Sequence, residues 1–182
     1  MRIVPADLPE VLLIEPDVFA DARGFFLETY HAEKYAAAGM AGPFVQDNHS
    51  RSAQGTVRGL HLQIARPQAK LVRVIAGEIF DVAVDVRRGS PTFGKWVGTV
   101  LSAESFRQYY IPHGFAHGFS VLSPVAEVEY KCTDLYDPAG QLGIAWDDPT
   151  IAIPWRVESP RLSDRDRGNP TLAEAFDRLP LY

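Results

Sequence analysis

Glycine and proline break this sequence at near-regular intervals, and that punctuation limits the folds open to it. Turn signals fall at Arg23-Gly24, Gly42-Pro43, Gly55, Gly77, Gly89-Ser90-Pro91, Pro112-His113-Gly114, Ser123-Pro124, Asp137-Pro138 and Asp148-Pro149. Gly supplies positive φ at such places and Pro pre-sets the turn geometry. Between them lie short runs rich in Val, Ile, Phe, Tyr and Thr, among them residues 57–63, 70–75, 78–85, 96–101, 115–122 and 125–133. Several short strands at regular spacing predict an antiparallel sandwich or barrel. Residues 78–85 show the period of two: Phe80, Val82 and Val84 alternate with Asp81, Ala83 and Asp85. That small, acidic second face fits a barrel interior or a solvated exterior equally.

Helical signals are few. Residues 31–38 predict two turns ending at Gly39, and Thr171-Leu-Ala-Glu174 reads as a capping box opening a helix near the C-terminus, just after Pro170. No internal repeat, low-complexity tract or linker divides the 182 residues. The expectation is one domain over residues 1–182, all-β, a jelly roll or related barrel with a few short helices.

At 46% apolar residues the chain is globular, and at this length it buries a core without metal or disulfide support. No stretch approaches the roughly 18 apolar residues of a membrane span. Residues 1–7 lack the apolar core of a secretory signal, and the single Cys132 offers neither an internal disulfide nor a zinc cluster. The cytoplasm is the expected compartment. A net charge of -5 argues against nucleic acid as a partner. A small anionic ligand stays open, because it needs only a local cationic cluster.

The histidines are His31, His49, His61, His113 and His117. A lone histidine in a strand is more often structural than catalytic, so their surroundings decide. His61 stands in the apolar run Val57-Arg-Gly-Leu-His-Leu-Gln63, and His117 in Pro112-His-Gly-Phe-Ala-His-Gly-Phe119. Burial and a nearby carboxylate tune a histidine in such settings. A metal site is weighed first. Residues 112–117 match Pro-x-Gly-x-x-His, the second half of the cupin metal pattern. The first half needs a second His and a Glu, but His61-Leu-Gln63 and residues 64–67 supply neither. No metal is expected. Arg23, Arg58, Lys70 and Arg73 stand in or beside the β core and call for anionic partners. Asp81, Asp85, Glu127 or Glu129 could serve, or a phosphate-bearing ligand. No Walker A or GxGxxG loop occurs.

Taken together, the motifs resemble one family, the dTDP-4-dehydrorhamnose 3,5-epimerases. The matching segments are Asp21-Ala-Arg-Gly-Phe-Phe-Leu-Glu28, Gln46-Asp-Asn-His-Ser50, Val57-Arg-Gly-Leu-His61, Lys70-Leu-Val-Arg73, residues 77–85, residues 89–96, residues 111–119, Tyr130-Lys131, and Leu162-Ser163 with Asp166. They run in family order over nearly the whole chain.

The resemblance implies a cupin-type jelly-roll β-barrel, without metal or other cofactor, that acts as a homodimer. Its substrate would be dTDP-4-dehydro-6-deoxy-D-glucose, and its place the route to dTDP-L-rhamnose. Protons would leave and return at C3 and C5, both beside the C4 ketone, which supplies the electron sink. An α-proton is roughly twelve pK units less acidic than imidazolium, about 16 kcal/mol uphill, so the enolate oxygen needs electrostatic support. By position the resemblance makes His61 the base, Tyr130 the acid on the opposite sugar face, Lys70 the cation at the C4 oxygen, and Asp166 the carboxylate paired with His61. Arg23, Phe26, Glu28, Gln46, Asn48, Arg58, His117, Gln141 and Arg165 fall at substrate-binding positions, and Tyr136 at an aromatic that stacks on thymine. The chain departs from the family at Leu62, usually aromatic, at Leu135, and at Gln141, usually Glu. Its His61–Lys70 connection is also one residue short. Epimerisation at C3 alone is the runner-up, and a non-catalytic carbohydrate-binding jelly roll the third reading.

Strict alternation puts Arg58 and His61 on opposite faces of one strand. If both serve one site, pairing around Gly59 must be irregular, as in a β-bulge.

Overall fold

The computed structural model describes residues 1–40 and 42–182. In chain order the strands are β1 (Arg2–Pro5), β2 (Leu12–Glu15), β3 (Val18–Asp21), β4 (Gly24–Leu27), β5 (Gln46–Ala53), β6 (Val57–Gln63) and β7 (Lys70–Ala76). They continue as β8 (Glu78–Asp85), β9 (Trp96–Ser102), β10 (Gln108–Ile111), β11 (Phe115–Val121), β12 (Val125–Cys132) and β13 (Gln141–Gly143). Helix α1 (Ala32–Ala37) follows β4, and α2 (Asp164–Arg167) and α3 (Leu172–Ala175) lie near the C-terminus.

Two antiparallel sheets face each other as a jelly roll of the cupin type. One runs β1-β2-β10-β7-β12-β5 and the other β13-β6-β11-β8-β9, while β3 and β4 form a separate hairpin. Period two sorts the side chains into layers. Ile79, Ala83, Phe115, Phe119 and Val121 from one sheet meet Val72, Val74, Tyr109, Ala126 and Val128 from the other. The outer face of the five-stranded sheet, with Phe80, Val82 and Val84, is covered by Ile151, Trp155 and the α3 residues Leu172 and Ala175. The outer face of the six-stranded sheet packs Ile14, Leu71 and Tyr110 against Tyr35 of α1 and Met40. Both faces of β8 are therefore buried, and its acidic face belongs to the barrel interior, where Asp81 and Asp85 are each 0% exposed.

The helices start and stop where their signals fall. Gly39, at φ 82°, ends the α1 segment, and Thr171 and Glu174 form the reciprocal capping box at α3. Among the described residues no helix is long and apolar enough to cross a membrane.

Candidate active site

The inner faces of the sheets diverge at one end of the barrel into a cavity of about 640 Å³, a size suited to a small-molecule ligand. One wall is a grid set by strand register. Cys132 of β12 lies between Lys70 of β7 and Gln46 of β5, and Tyr130 lies between Val72 and Asn48. Lys70, Tyr130, Cys132, Gln46 and Asn48 thus share one inward face. The facing wall comes from β6 and β11, where His61 is the direct partner of His117.

The pairing of β6 with β11 is irregular where the shared site demands it. His117 sits opposite His61 and Phe119 opposite Arg58, so three steps along β6 match two along β11. The extra residue turns both Arg58 and His61 into the cavity. Gly59 has φ 122°, and a Cβ there would lie 2.5 Å from the Gly118 Cα and 2.7 Å from the His117 carbonyl oxygen. Only glycine fits. Left without a partner in β11, Gly59 donates its N–H to the Asp166 carboxylate.

Asp166 stands on α2, capped by Ser163, and its Oδ1 is 2.5 Å from His61 Nε2. The carboxylate is 5% exposed and the imidazole 27% exposed at the cavity wall. Burial alone pushes the Asp166 carboxyl up, but the hydrogen bond and charge of His61, with donors from Ser163 and Gly59, outweigh it and hold it below the ordinary range. An ionised Asp166 fixes which imidazole nitrogen faces it and leaves the other for the cavity.

Lys70 has no carboxylate within ion-pair distance among the described residues, and burial lowers its pKa, with Cys132 and Asp81 opposing. Burial also raises the Tyr130 hydroxyl, whose ring stands on the wall opposite His61. His117 Nε2 lies 2.9 and 3.0 Å from the two Asp81 oxygens, and burial pushes its pKa down despite that carboxylate. Arg58 Nε donates to Ser52 Oγ at 2.9 Å and, among the described residues, has no ion-pair partner. By contrast Arg73 is neutralised by Glu129 at 2.6 Å, an internal pair of the kind that basic residues in a β core call for.

At the mouth, Tyr136 is held at both ends. Its N–H donates to Gln46 Oε1 at 2.8 Å, its hydroxyl donates to Gln141 Oε1 at 2.8 Å, and Arg165 Nη1 donates to that hydroxyl at 3.3 Å. Gln46 Nε2 in turn donates to Asn48 Oδ1 at 3.0 Å.

The cavity therefore gathers His61, Lys70, Tyr130, Asp166, Gln46, Asn48, Arg58, His117, Tyr136, Gln141 and Arg165. Arg23, Phe26 and Glu28 are not among its walls. They belong to the β3–β4 hairpin and its exit, where Arg23 is 91% exposed beside Asp21, Phe26 is 69% exposed, and Glu28 pairs with Lys34 at 2.7 Å. Gln63, Cys132 and Arg161 also line the cavity and escaped the sequence reading. Period two would have found two of them, since Gln63 lies two residues beyond His61 and Cys132 two beyond Tyr130. Arg161 lies in an irregular segment that offers no such signal. Among the described residues no three His, Cys, Asp or Glu side chains gather as a metal-ligand set.

Comparison with known proteins gives the same direction. The family profile described as dTDP-4-dehydrorhamnose 3,5-epimerase matches residues 5–174. The dTDP-4-dehydrorhamnose 3,5-epimerase of Pseudomonas aeruginosa is 54% identical over 177 residues, covering 96% of this chain and 98% of that protein. A dTDP-4-dehydrorhamnose 3-epimerase of Streptomyces niveus is 43% identical, covering 100% of this chain and 90% of that protein. Among solved structures, the dTDP-6-deoxy-D-glucose 3,5-epimerase of Legionella pneumophila, in complex with dTDP-4-keto-L-rhamnose, superposes with a TM-score of 0.97 at 49% identity. That match covers 100% of this chain and 98% of the other.

Proposed function

The chain belongs to the dTDP-4-dehydrorhamnose 3,5-epimerase family, and from that membership we propose that it inverts C3 and C5 of dTDP-4-dehydro-6-deoxy-D-glucose to give dTDP-4-dehydro-L-rhamnose. The observation that carries the reading is that His61 and Tyr130 enter one cavity from different sheets. Inversion needs a group on each face of the sugar ring, because a single group returns the proton where it found it.

In this mechanism His61 takes the proton beside the C4 ketone, oriented by Asp166. Charge develops on the C4 oxygen as the proton leaves. Lys70, lacking a protein carboxylate in a partly dry cavity, is free to meet that charge. Tyr130 returns a proton to the opposite face. Burial keeps its hydroxyl protonated and hence a donor. The ketone itself makes the α-protons removable, so the reaction needs no cofactor. The uncharged thiol of Cys132 suits a reducing cytoplasm.

The working unit in this reading is a homodimer. Arg23, Phe26 and Glu28 lie off the chain's own cavity, on a hairpin that also exposes Phe19 at 66% and Phe25 at 61%. Seating that hairpin at the cavity mouth of a second copy would cover the apolar rings and complete the substrate contacts. Mixing Arg23→Ala with His61→Ala chains tests it: hybrid dimers regain activity only if sites are shared.

The decisive experiment incubates the protein with dTDP-4-keto-6-deoxyglucose in deuterated water, with a 4-reductase to trap product, and reads deuterium by NMR. Label at C3 and C5 is expected. Label at C3 alone would make the enzyme a C3 epimerase, and no label would sink both. His61→Ala should lower kcat about 10³-fold, within the usual worth of a general base, with its circular dichroism unchanged.

A further inference from the structure

Two glutamines in the cavity have an amide polarity fixed by their neighbours and a free end aimed at nothing in the protein. Gln63 ends β6 and is only 8% exposed. Its Nε2 donates to the Asp137 carbonyl at 3.1 Å, which identifies Oε1 as the other end. That Oε1 is buried and has no hydrogen-bond partner among the described residues. A buried acceptor is costly to leave unmade.

Gln141 is the direct partner of Gln63 in the β13–β6 ladder, which sets the two Cβ atoms about 5 Å apart on one face. Arg165 fixes its polarity through a short relay. The guanidinium donates to the Tyr136 hydroxyl, so that hydroxyl directs its own proton to Gln141 Oε1. Gln141 Nε2 is left as the free donor. An unpartnered acceptor and an unpartnered donor therefore stand side by side, next to the aromatic ring at the cavity mouth.

We propose that Gln63 and Gln141 together read the imide edge of the pyrimidine that stacks on Tyr136, with N3–H donating to Gln63 Oε1 and Gln141 Nε2 donating to the O4 carbonyl. The proposal rests on the nucleotide reading above and extends it to base selection. Thymine and uracil present this donor–acceptor pair. Cytosine presents the reverse at both atoms, an acceptor at N3 and an amine at C4, and leaves both glutamines unpaired. Sites built to pair a polar edge reject the mismatched one far better than apolar pockets reject an extra group.

Calorimetric titration of the whole protein with dTDP, dUDP, dCDP and N3-methyl-dTDP tests this. dTDP and dUDP should bind within about threefold of each other, and dCDP and N3-methyl-dTDP at least about tenfold more weakly. Gln141→Glu keeps an acceptor for the Tyr136 hydroxyl, so the mouth stays assembled, but it removes the donor. It should narrow the dTDP-to-dCDP preference to under about threefold. That ratio is insensitive to the repulsion a carboxylate exerts on every diphosphate. N3-methyl-dTDP binding as well as dTDP, or an unchanged ratio in Gln141→Glu, would overturn base reading while leaving the nucleotide reading intact. Failure of dTDP itself to bind would bring down both.

Discussion

Asp81 and Asp85 sit four residues apart on the same face of β8, and both are fully buried. Their surroundings could hardly differ more. Asp85 accepts from the Arg87 backbone and guanidinium, from Ser90 Oγ at 2.5 Å and from Thr92 Oγ1 at 2.6 Å. Burial would raise its carboxyl, but these donors win and hold it at about 2. Arg87 is in turn closed off by Glu10 and by the rings of Phe115 and Tyr182. Asp81 has one partner, His117, and that imidazole faces the cavity. The saturated carboxylate ties the barrel together. The sparsely paired one holds a side chain in the orientation a ligand would meet. Burial is shared, so the number and charge of partners separates a structural role from a functional one.

The largest effect that would break this contrast is on stability at Asp85. Asp85→Asn strips a buried guanidinium of its main counter-charge and should cost about 3–5 kcal/mol in chemical denaturation, while the turnover of folded protein stays unchanged. Lost turnover at full stability would reverse the assignment. An acid titration sharpens it further. The folded-state pKa of Asp85 lies below its ordinary 3.8, so its stabilisation is complete above about pH 4 and lost as pH falls toward 2. That gap corresponds to roughly 2 kcal/mol, and urea midpoints from pH 5 to 2 should flatten over this limb in Asp85→Asn. The smallest effect belongs to Asp81. Asp81→Asn still bonds a neutral His117, so stability should change by about 1 kcal/mol. kcat/KM should fall about tenfold as the imidazole loses its oriented partner. A stability loss matching that of Asp85→Asn would erase the distinction.

The same strand shows what was legible from sequence. Its period of two and the turns at Gly77 and Gly89 bound β8 correctly, and β6 likewise. Its acidic face could be read as inside or outside, because period gives alternation without saying which side is wet. β5 was harder. The run Gln46-Asp-Asn-His-Ser-Arg-Ser-Ala53 has a loop's composition and becomes a strand through eight residues of pairing with β12, a tertiary effect that overrides local preference. In the site, His61, Lys70, Tyr130 and Asp166 were identifiable from motifs scattered over more than a hundred residues, and the structure brings them into one cavity. Arg23, Phe26 and Glu28 came from equally clear motifs yet lie away from it, since a motif does not say whose cavity a side chain serves. Gln63 and Cys132 were missed because motif matching stops at the residue it recognises, whereas a strand repeats its face every second position.

The bulge at Gly59 has a consequence for how the chain tolerates change in length. A regular strand sorts its residues by parity, odd to one side and even to the other. Between Arg58 and His61 the register counts three steps as two, so the strand changes parity midway. Its first half keeps one sorting and its second half the other. Removing a single residue there would leave every hydrophobic position of the second half correctly buried only by turning Arg58 outward. The spacing Arg-Gly-Leu-His is thus a fixed distance in the sequence, as much a component of the site as the side chains at its two ends.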